Sequence, residues 1–364
     1  MSRHEVTLIE GDGIGPEIVE ATRIVIAAAD VDIEWDSVPA GEGAIAEHGT
    51  PLPDSVLESI RRTGVALKGP LTTPVGTGFR SVNVALRREL DLYINLRPAR
   101  SIPYTFDRYD DVDIVVVREN TEDLYAGIEY DLGSAEAAEL LQWIVEHGGG
   151  AVRPDSGISI KPISVTGSER IVRAAFDYAV DNGRSKVTAV NKANIMKATD
   201  GLFLEVARKV AAEYDGIEFE DRIVDATSMA LVIDPTQFDV LVMPNLYGDI
   251  VSDISAGLIG GLGLAPSANI GTDAAIFEAV HGSAPTIAGQ GIANPTALLL
   301  SAVEMLRHLG EKEAAAAVSS AVIGTIADGK TITADLRAIR DGGAGAAATT
   351  NEFALAVADR IAAG

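Results

Sequence analysis

The chain has 364 residues, 47% of them hydrophobic, enough to fill one large core or two ordinary ones, with two domains as the default. A formal net charge of -24 argues against a nucleic-acid partner, because phosphate binding needs a basic face. The absence of cysteine removes disulfides, thiolate metal sites and cysteine nucleophiles. No apolar run reaches the ~18 to 20 residues that span a bilayer, and the first residues lack a signal peptide's apolar segment. A soluble, cytoplasmic protein without a membrane partner is the expectation. Only eight of the 29 basic residues are lysine, a bias that suits either a high-salt cytoplasm or a GC-rich genome.

Val6 to Ile9 reads as a first strand, and Glu10-Gly-Asp-Gly-Ile-Gly-Pro16 as the turn into a helix through Ala29. The turn approaches the dinucleotide fingerprint, but Pro16 stands where the third glycine is needed, so the match fails. A proline opening a helix explains the turn without a nucleotide. Helical and strand-like segments then alternate: a helix over Asp54–Arg62, a strand over Val65–Leu67, a helix over Asn83–Leu90, a strand over Val112–Val117. Such alternation indicates an α/β protein with a largely parallel sheet.

Between the second strand and the helix from Asn83 lies a glycine-, proline- and threonine-rich loop, residues 67–78. Ser81 and Asn83 could donate hydrogen bonds to an anion at the helix start; Ser81 is equally a plain N-cap. Arg87, Arg97 in Asn95-Leu-Arg-Pro98, and Arg118 after a buried strand follow. Guanidinium groups hold carboxylates bidentately, so three of them suit a di- or tricarboxylate. Internal ion pairs with Asp91, Asp113 and Glu119 account for them equally well. Tyr125 and Lys192 are the candidate acid and base, since a lysine beside a cation loses basicity and a tyrosine can return a proton. Read alone, they are a core-edge tyrosine and a loop lysine.

The pattern loosens over residues 132–154 into a surface excursion, and Ser159–Val165 alternates strictly, which predicts a strand with one exposed face. A helix over Ser168–Val180, a strand over Lys186–Val190 and a helix over Met196–Ala212 come next, and Asp225 ends the strand-like Arg222–Val224. Val240–Met243 reads as a buried strand leading into a helix on which Asp249 and Asp253 face the same way. Two carboxylates there suit Mg²⁺ or Mn²⁺, with Asp225 a candidate third ligand; a solvated acidic face is the plainer alternative. His281 opens a turn-rich loop ending in Asn294, shaped to wrap a ligand, although a lone histidine is more often structural. The tail is helical, interrupted at Gly329, with a flexible loop at residues 342–345. No repeat or linker marks a boundary, so the domains are expected to be woven from separated segments.

Taken together these patches resemble the metal-dependent β-decarboxylating dehydrogenases, the family of isocitrate, isopropylmalate, homoisocitrate and tartrate dehydrogenases. The likeness runs from Leu8 to about Leu336. It rests on Gly-Asp-Gly-Ile-Gly-Pro, Leu-Arg-Pro, Arg-Glu-Asn-Thr-Glu-Asp-Leu-Tyr-Ala-Gly, Asn-Lys-Ala-Asn-Ile-Met-Lys, Asn-Leu-Tyr-Gly-Asp-Ile-Val-Ser-Asp and His-Gly-Ser-Ala-Pro. The resemblance implies a fold that is not Rossmann. Residues 1–103 and 261–364 would form a large cofactor-binding domain, and 104–260 a smaller central α/β domain with metal and dimer-interface elements. Two subunits of a homodimer or higher homo-oligomer would share each active site.

Carried over residue by residue, the resemblance makes Asp249 and Asp253 metal ligands from one subunit, with Asp225 and Lys192 reaching in from the partner. Lys192 would serve deprotonation of the substrate hydroxyl and Tyr125 protonation of the enol left after decarboxylation. Arg87, Arg97 and Arg118 would hold carboxylates. His281, Gly282, Ser283, Ala284, Thr286, Ile287, Asn294 and Asp335 would bind the cofactor. Ser81 and Asn83 are similar to the isocitrate enzymes' grip on a third carboxylate, and a pocket offering hydrogen bonds rejects an alkyl group. Residues 168–309 resemble the NAD-dependent isocitrate dehydrogenases most. Thr286, Ile287, Ala334 and Ala338 replace the lysine, tyrosines and arginine that meet NADP, so NAD is expected. The chain departs from the NAD pattern at Thr286, usually aspartate, and has Glu10 for a usual proline. The implied reaction is oxidative decarboxylation of isocitrate to 2-oxoglutarate, a tricarboxylic acid cycle step. A sister dehydrogenase and a non-catalytic regulatory subunit are the alternatives.

Overall fold

The computed structural model describes residues 3–72, 81–105 and 108–364. Residues 73–78 of the expected threonine- and glycine-rich loop therefore lie outside the described residues. Twelve strands are present among them: β1 His4–Ile9, β2 Ile33–Ser37, β3 Val65–Lys68, β4 Ile94–Arg100, β5 Asp113–Glu119, β6 Glu129–Tyr130, β7 Ile158–Ser159, β8 Lys186–Asn191, β9 Glu218–Ile223, β10 Val240–Met243, β11 Pro266–Ile270 and β12 Ala275–Ala279. The helices are α1 Gly15–Ala28, α2 Glu42–His48, α3 Asp54–Thr63, α4 Val82–Glu89, α5 Ala135–Glu146, α6 Val165–Asp181, α7 Asp200–Ala211, α8 Val224–Ile233, α9 Asn245–Leu258, α10 Thr296–His308, α11 Lys312–Asp328, α12 Ala334–Asp341 and α13 Thr350–Ala362. No helix among the described residues is long and apolar enough to cross a membrane.

Ten strands form one sheet in the order β2-β1-β3-β12-β11-β4-β5-β10-β8-β9. The two flanks are parallel, as the alternation of elements predicts. The centre is not: β11 runs antiparallel to both β12 and β4, and β4 antiparallel to β5. Helices cover both faces. In β5, Val115 and Val117 join one core while Ile114 and Val116 join the other, as the two-residue period of a strand requires. All of β10, Val-Leu-Val-Met, is buried for the same reason.

Three expectations fail in informative ways. Of the predicted Ser159–Val165 strand only Ser159 lies in a strand, β7, which pairs with β6. Pro162 lacks the N–H a ladder needs, and Ser164 instead caps α6 by accepting the Gly167 N–H at 2.9 Å. The helix predicted from Met196 starts at Asp200, because Lys192–Met196 forms a turn in which the Lys192 carbonyl accepts the Ile195 and Met196 N–H groups. Asp225 does not end a strand; it lies in the first turn of α8.

Candidate active site

The site forms where the carboxyl end of β5 meets the start of α9. Strand β5 is interior, so it carries Arg118 into the protein, where the side chain is 1% exposed. Helix α9 approaches it closely because residue 248 is glycine; a Cβ there would sit 2.4 Å from Arg118 Cγ. Arg118 Nε donates to Asn245 Oδ1 at 2.9 Å, Nη1 donates to Asp249, and Nη2 is buried without a partner. On the adjacent β4, Arg97 Nη1 donates to Ser252 Oγ at 2.6 Å and lies 3.3 Å from Asp253 Oδ1, while its Nε is buried without a partner. Arg87, in the last turn of α4, stands 3.7 Å from Glu278, and its Nε is likewise unpartnered.

The alternative pairings are not the ones formed. Asp91 pairs with Arg170, Asp113 with Arg100 and Arg184, and Glu119 accepts from Thr121 and the Glu122 N–H. Three guanidinium groups thus crowd one place. Burial, then repulsion from Arg118 and Arg87, pulls Arg97 down to about 10; burial and then Arg87 lower Arg118 too. Arg87 and Arg97 line a cavity of about 160 Å³ together with Lys68, Asn83, Glu278 and His281. Asn83 Oδ1 is buried without a partner, and Ser81, at the N-cap of α4, makes no capping hydrogen bond through its side chain. Buried donors with unused N–H groups are what an anionic ligand needs.

Tyr125 sits in a 3-10 turn over Asp123–Ala126 and donates to Asp249 Oδ2 at 2.5 Å, with the Arg118 guanidinium 4.9 Å above its ring. Burial, then the bond to Asp249, pushes its phenol up, so it keeps its proton at neutral pH. Burial works to raise the Asp249 carboxyl as well, but Arg118, Tyr125 and Arg97 outweigh it and hold the group below the usual carboxylate range. Asp253 follows one turn later on the same face. Lys192 and Asp225 form a separate cluster: Lys192 Nζ donates to Asp225 Oδ1 at 2.5 Å. Among the described residues no three carboxylates or histidines of this chain gather at metal-holding distance.

A second cavity, about 450 Å³, is lined by Ile14, Gly282, Ala284, Ile287, Asn294 and Asp335 among others. His281 lines both cavities. Its Nδ1 lies 3.0 Å from the Gly282 carbonyl and its Nε2 is buried without a partner; burial lowers its pKa, so the ring is neutral. Asn294 Nδ2 donates to Asp335 Oδ2 at 2.8 Å. Ser283 ties the loop to the first turn of the chain: its carbonyl accepts the Ile14 N–H at 2.9 Å and its hydroxyl meets Thr72 at 2.7 Å. A Cβ at Gly13, where φ is +62°, would lie 2.0 Å from that carbonyl, so this glycine serves loop packing. Thr286 is exposed and does not line the cavity.

Sequence reasoning missed Lys68, Glu278 and Asn245. Lys68 Nζ meets Glu278 Oε2 at 2.5 Å, both side chains buried. Burial opposes ionisation of Glu278, yet Lys68 and Arg87 overcome it and hold the carboxyl at about 2. Nothing in an isolated lysine at a strand end announces this; Asn245, within the motif that carries Asp249, was open to notice.

An isocitrate/isopropylmalate dehydrogenase family model matches residues 5–357. The chain belongs to this family. It is similar to the mitochondrial catalytic subunit 5 of NAD isocitrate dehydrogenase from Arabidopsis thaliana, 49% identical over 98% of this chain and 88% of that one. It is also 49% identical to the chloroplastic 3-isopropylmalate dehydrogenase of Solanum tuberosum, over 89% of this chain and 85% of that one. The crystal structure of isocitrate dehydrogenase from Methylococcus capsulatus superposes with a TM-score of 0.88 at 52% identity, covering 99% of both chains. Membership makes the protein an oxidoreductase of the isocitrate/isopropylmalate dehydrogenase type. The names of these two relatives place those proteins in a mitochondrion and a chloroplast.

Proposed function

We propose that the protein catalyses NAD-linked oxidative decarboxylation of isocitrate to 2-oxoglutarate with Mg²⁺ or Mn²⁺, as a homodimer whose two sites are shared. The observation that carries this is the cluster of Arg87, Arg97 and Arg118, each with a buried N–H group unused, of which Arg97 and Arg118 face Asp249 and Arg97 also Asp253. Three cations fit three carboxylates. Asn83 and Ser81 add polar groups where an isopropyl substrate would want apolar ones, which favours isocitrate over 3-isopropylmalate.

The donor set fits a hard divalent cation: Asp249 is kept ionised, Asp253 lies on the same face, and no sulfur competes. The second cavity fits an adenosine moiety: apolar walls, an unpartnered imidazole nitrogen on His281, and the Asn294–Asp335 pair. Its carboxylate, with no cation among the residues lining it, favours NAD over NADP.

When bound, the cation would lower the pKa of the C2 hydroxyl and stabilise the negative charge that develops beside it. The chain's own residues do the rest. Arg87, Arg97 and Arg118 hold the carboxylates and so fix the orientation of C2. Lys192, from the partner, would take the hydroxyl proton, and NAD, when bound, would accept the hydride from C2, so that a keto acid is left. Loss of CO₂ from the keto acid's carboxylate leaves an enolate, and Tyr125, protonated at neutral pH, gives a proton to the enolate carbon, which leaves the ketone. The dimer reading draws support from an apolar surface on the α8–α9 pair, where Met229, Val232, Ile233 and Ile250 are exposed at 60%, 44%, 69% and 50%. It also supplies each site with Lys192 and Asp225, which stand apart from Asp249 within one chain. Residues 1–103 with 261–364 and residues 104–260 are proposed as the two lobes, meeting in the sheet between β4 and β5.

The test is the rate of NADH formation by the purified chain with Mg²⁺ and isocitrate, homoisocitrate, 3-isopropylmalate or tartrate. The reading expects the highest kcat/KM for isocitrate. Preference for 3-isopropylmalate would move the chain to the sister activity, and absence of turnover with all four would favour a regulatory subunit.

A further inference from the structure

Among buried charged groups that no step above uses, Lys161 has the most unusual surroundings. It lies in the loop between β7 and α6. Its Nζ is 2.7 Å from Asp200 Oδ1 and 3.8 Å from Asp123 Oδ1, and 3.4 Å from the Tyr247 hydroxyl. Both carboxylates are 0% exposed and the Lys161 side chain 13%. One ammonium thus lies between two carboxylates withdrawn from water, each of which would be costly without it.

Each carboxylate grips a different part of the proposed chemistry. Asp200, the first residue of α7, accepts the backbone N–H of Lys192 at 2.7 Å. Asp123 opens the turn that carries Tyr125, with φ at +66°, a conformation its surroundings must enforce. It accepts the N–H of Leu246, in the first turn of α9, at 2.9 Å, and its own N–H donates to the carbonyl of Pro162, beside Lys161, at 3.0 Å. Tyr247, whose ring lies 4.5 Å from the ammonium, is two residues before Asp249. A single side chain therefore touches the elements bearing Tyr125 and Asp249 and, through Asp200, the backbone of Lys192.

The geometry points to Lys161 as a positioning residue that, through Asp123 and Asp200, fixes Lys192 relative to Tyr125. This rests on the proposed function, in which Lys192 serves the partner's site while Tyr125 and Asp249 serve their own, so the clamp holds one site in register with the other. An aspartate left without its cation in a dry interior takes a proton or turns to water; the first weakens the charge-assisted bond to the Lys192 N–H and the second breaks it. The arginines are untouched, so binding is spared.

The experiment compares wild type, Lys161→Met, Lys161→Arg and Asp200→Asn as full-length chains, by NADH formation with isocitrate and Mg²⁺. A shift of about 1 Å in a proton-transferring group costs roughly 10²-fold in rate, so Lys161→Met is expected to lower kcat by about that factor, with KM for isocitrate and NAD⁺ held within roughly threefold. Lys161→Arg, which keeps the cation, regains about tenfold of the loss, and Asp200→Asn reproduces the defect. Should Lys161→Met not fold, Asp200→Asn carries the test by the same split between kcat and KM. Wild-type kcat per folded chain in either variant overturns the clamp, as does a loss confined to Tm and yield. Inactivity of the wild type with every hydroxyacid would instead remove the proposed function. The clamp is then read from amide exchange at residues 190–196: faster in Lys161→Met supports it, unchanged overturns it.

Discussion

Arg97→Met separates an anion site from a structural ion pair. Arg97 is pulled from an ordinary value near 12.5 to about 10, so its pocket in the ligand-free chain disfavours the charge by roughly 3 kcal/mol, at about 1.4 kcal/mol per unit. Its partners do not depend on it: the side chains of Asp253 and Asp249 are 56% and 38% exposed, so water takes over their solvation. Methionine fills similar volume without charge and relieves the repulsion from Arg118 and Arg87. Stability should therefore stay within about 1 kcal/mol of wild type or rise. Catalysis should not survive so easily. Truncating one partner of a buried charged hydrogen bond costs about 2 to 5 kcal/mol, or roughly 30- to 4,000-fold in kcat/KM for isocitrate. The assays are denaturant unfolding and steady-state NADH formation on the same preparation. A variant destabilised by several kcal/mol with kcat/KM near wild type would refute the reasoning, for the arginine would then serve the fold.

Asp249→Asn removes one charge from the proposed cation site and leaves a single oxygen where Tyr125 and Arg118 now donate to two, so Mg²⁺ affinity and kcat should fall together, by about tenfold or more; an unchanged Mg²⁺ titration would take Asp249 out of the ligand set. Lys68→Met takes from buried Glu278 the nearer of its two cations, leaving Arg87 at 3.7 Å, and should cost about 3 kcal/mol in denaturant unfolding, whereas adding Glu278→Gln should recover part of it; equal losses in the single and double variants would contradict this. Glu278 has a folded pKa depressed from 4.5 to about 2, so its contribution is present above about pH 4.5 and lost as pH falls toward 2; Glu278→Gln should flatten that part of the stability profile, and an unchanged profile would deny it. Replacing Thr286-Ile287 with Lys-Tyr should raise kcat/KM for NADP relative to NAD, and no change would mean that this exposed loop does not reach the cofactor.

Much of the fold was legible because its parallel flanks are built from short apolar runs punctuated by amphipathic helices, β10 and α9 above all. The failures share a cause: side-chain chemistry that periodicity does not report. Ser159–Val165 alternates like a strand, but Pro162 cannot donate, Ser164 is engaged as a cap and Lys161 turns inward to two aspartates. The antiparallel centre was hidden because a buried strand reads alike in either direction. The arginines were visible as types but not as partners, since Asp91, Asp113 and Glu119 are near in sequence while Asp249 and Asp253 are near only in space. Lys68 and Glu278 are separated by most of the chain and meet because β3 and β12 pair in register. Asp225 does not join Asp249 and Asp253 in a three-ligand group among the described residues, a spatial fact that spacing along the sequence does not report.

The most direct measurement is the binding of isocitrate to the metal-loaded wild type and to variants in which Arg87, Arg97 and Arg118 are replaced by methionine one at a time, by calorimetry. The account predicts that each single replacement weakens isocitrate binding by at least about tenfold while the chain stays folded. Binding that is indifferent to all three replacements would contradict it.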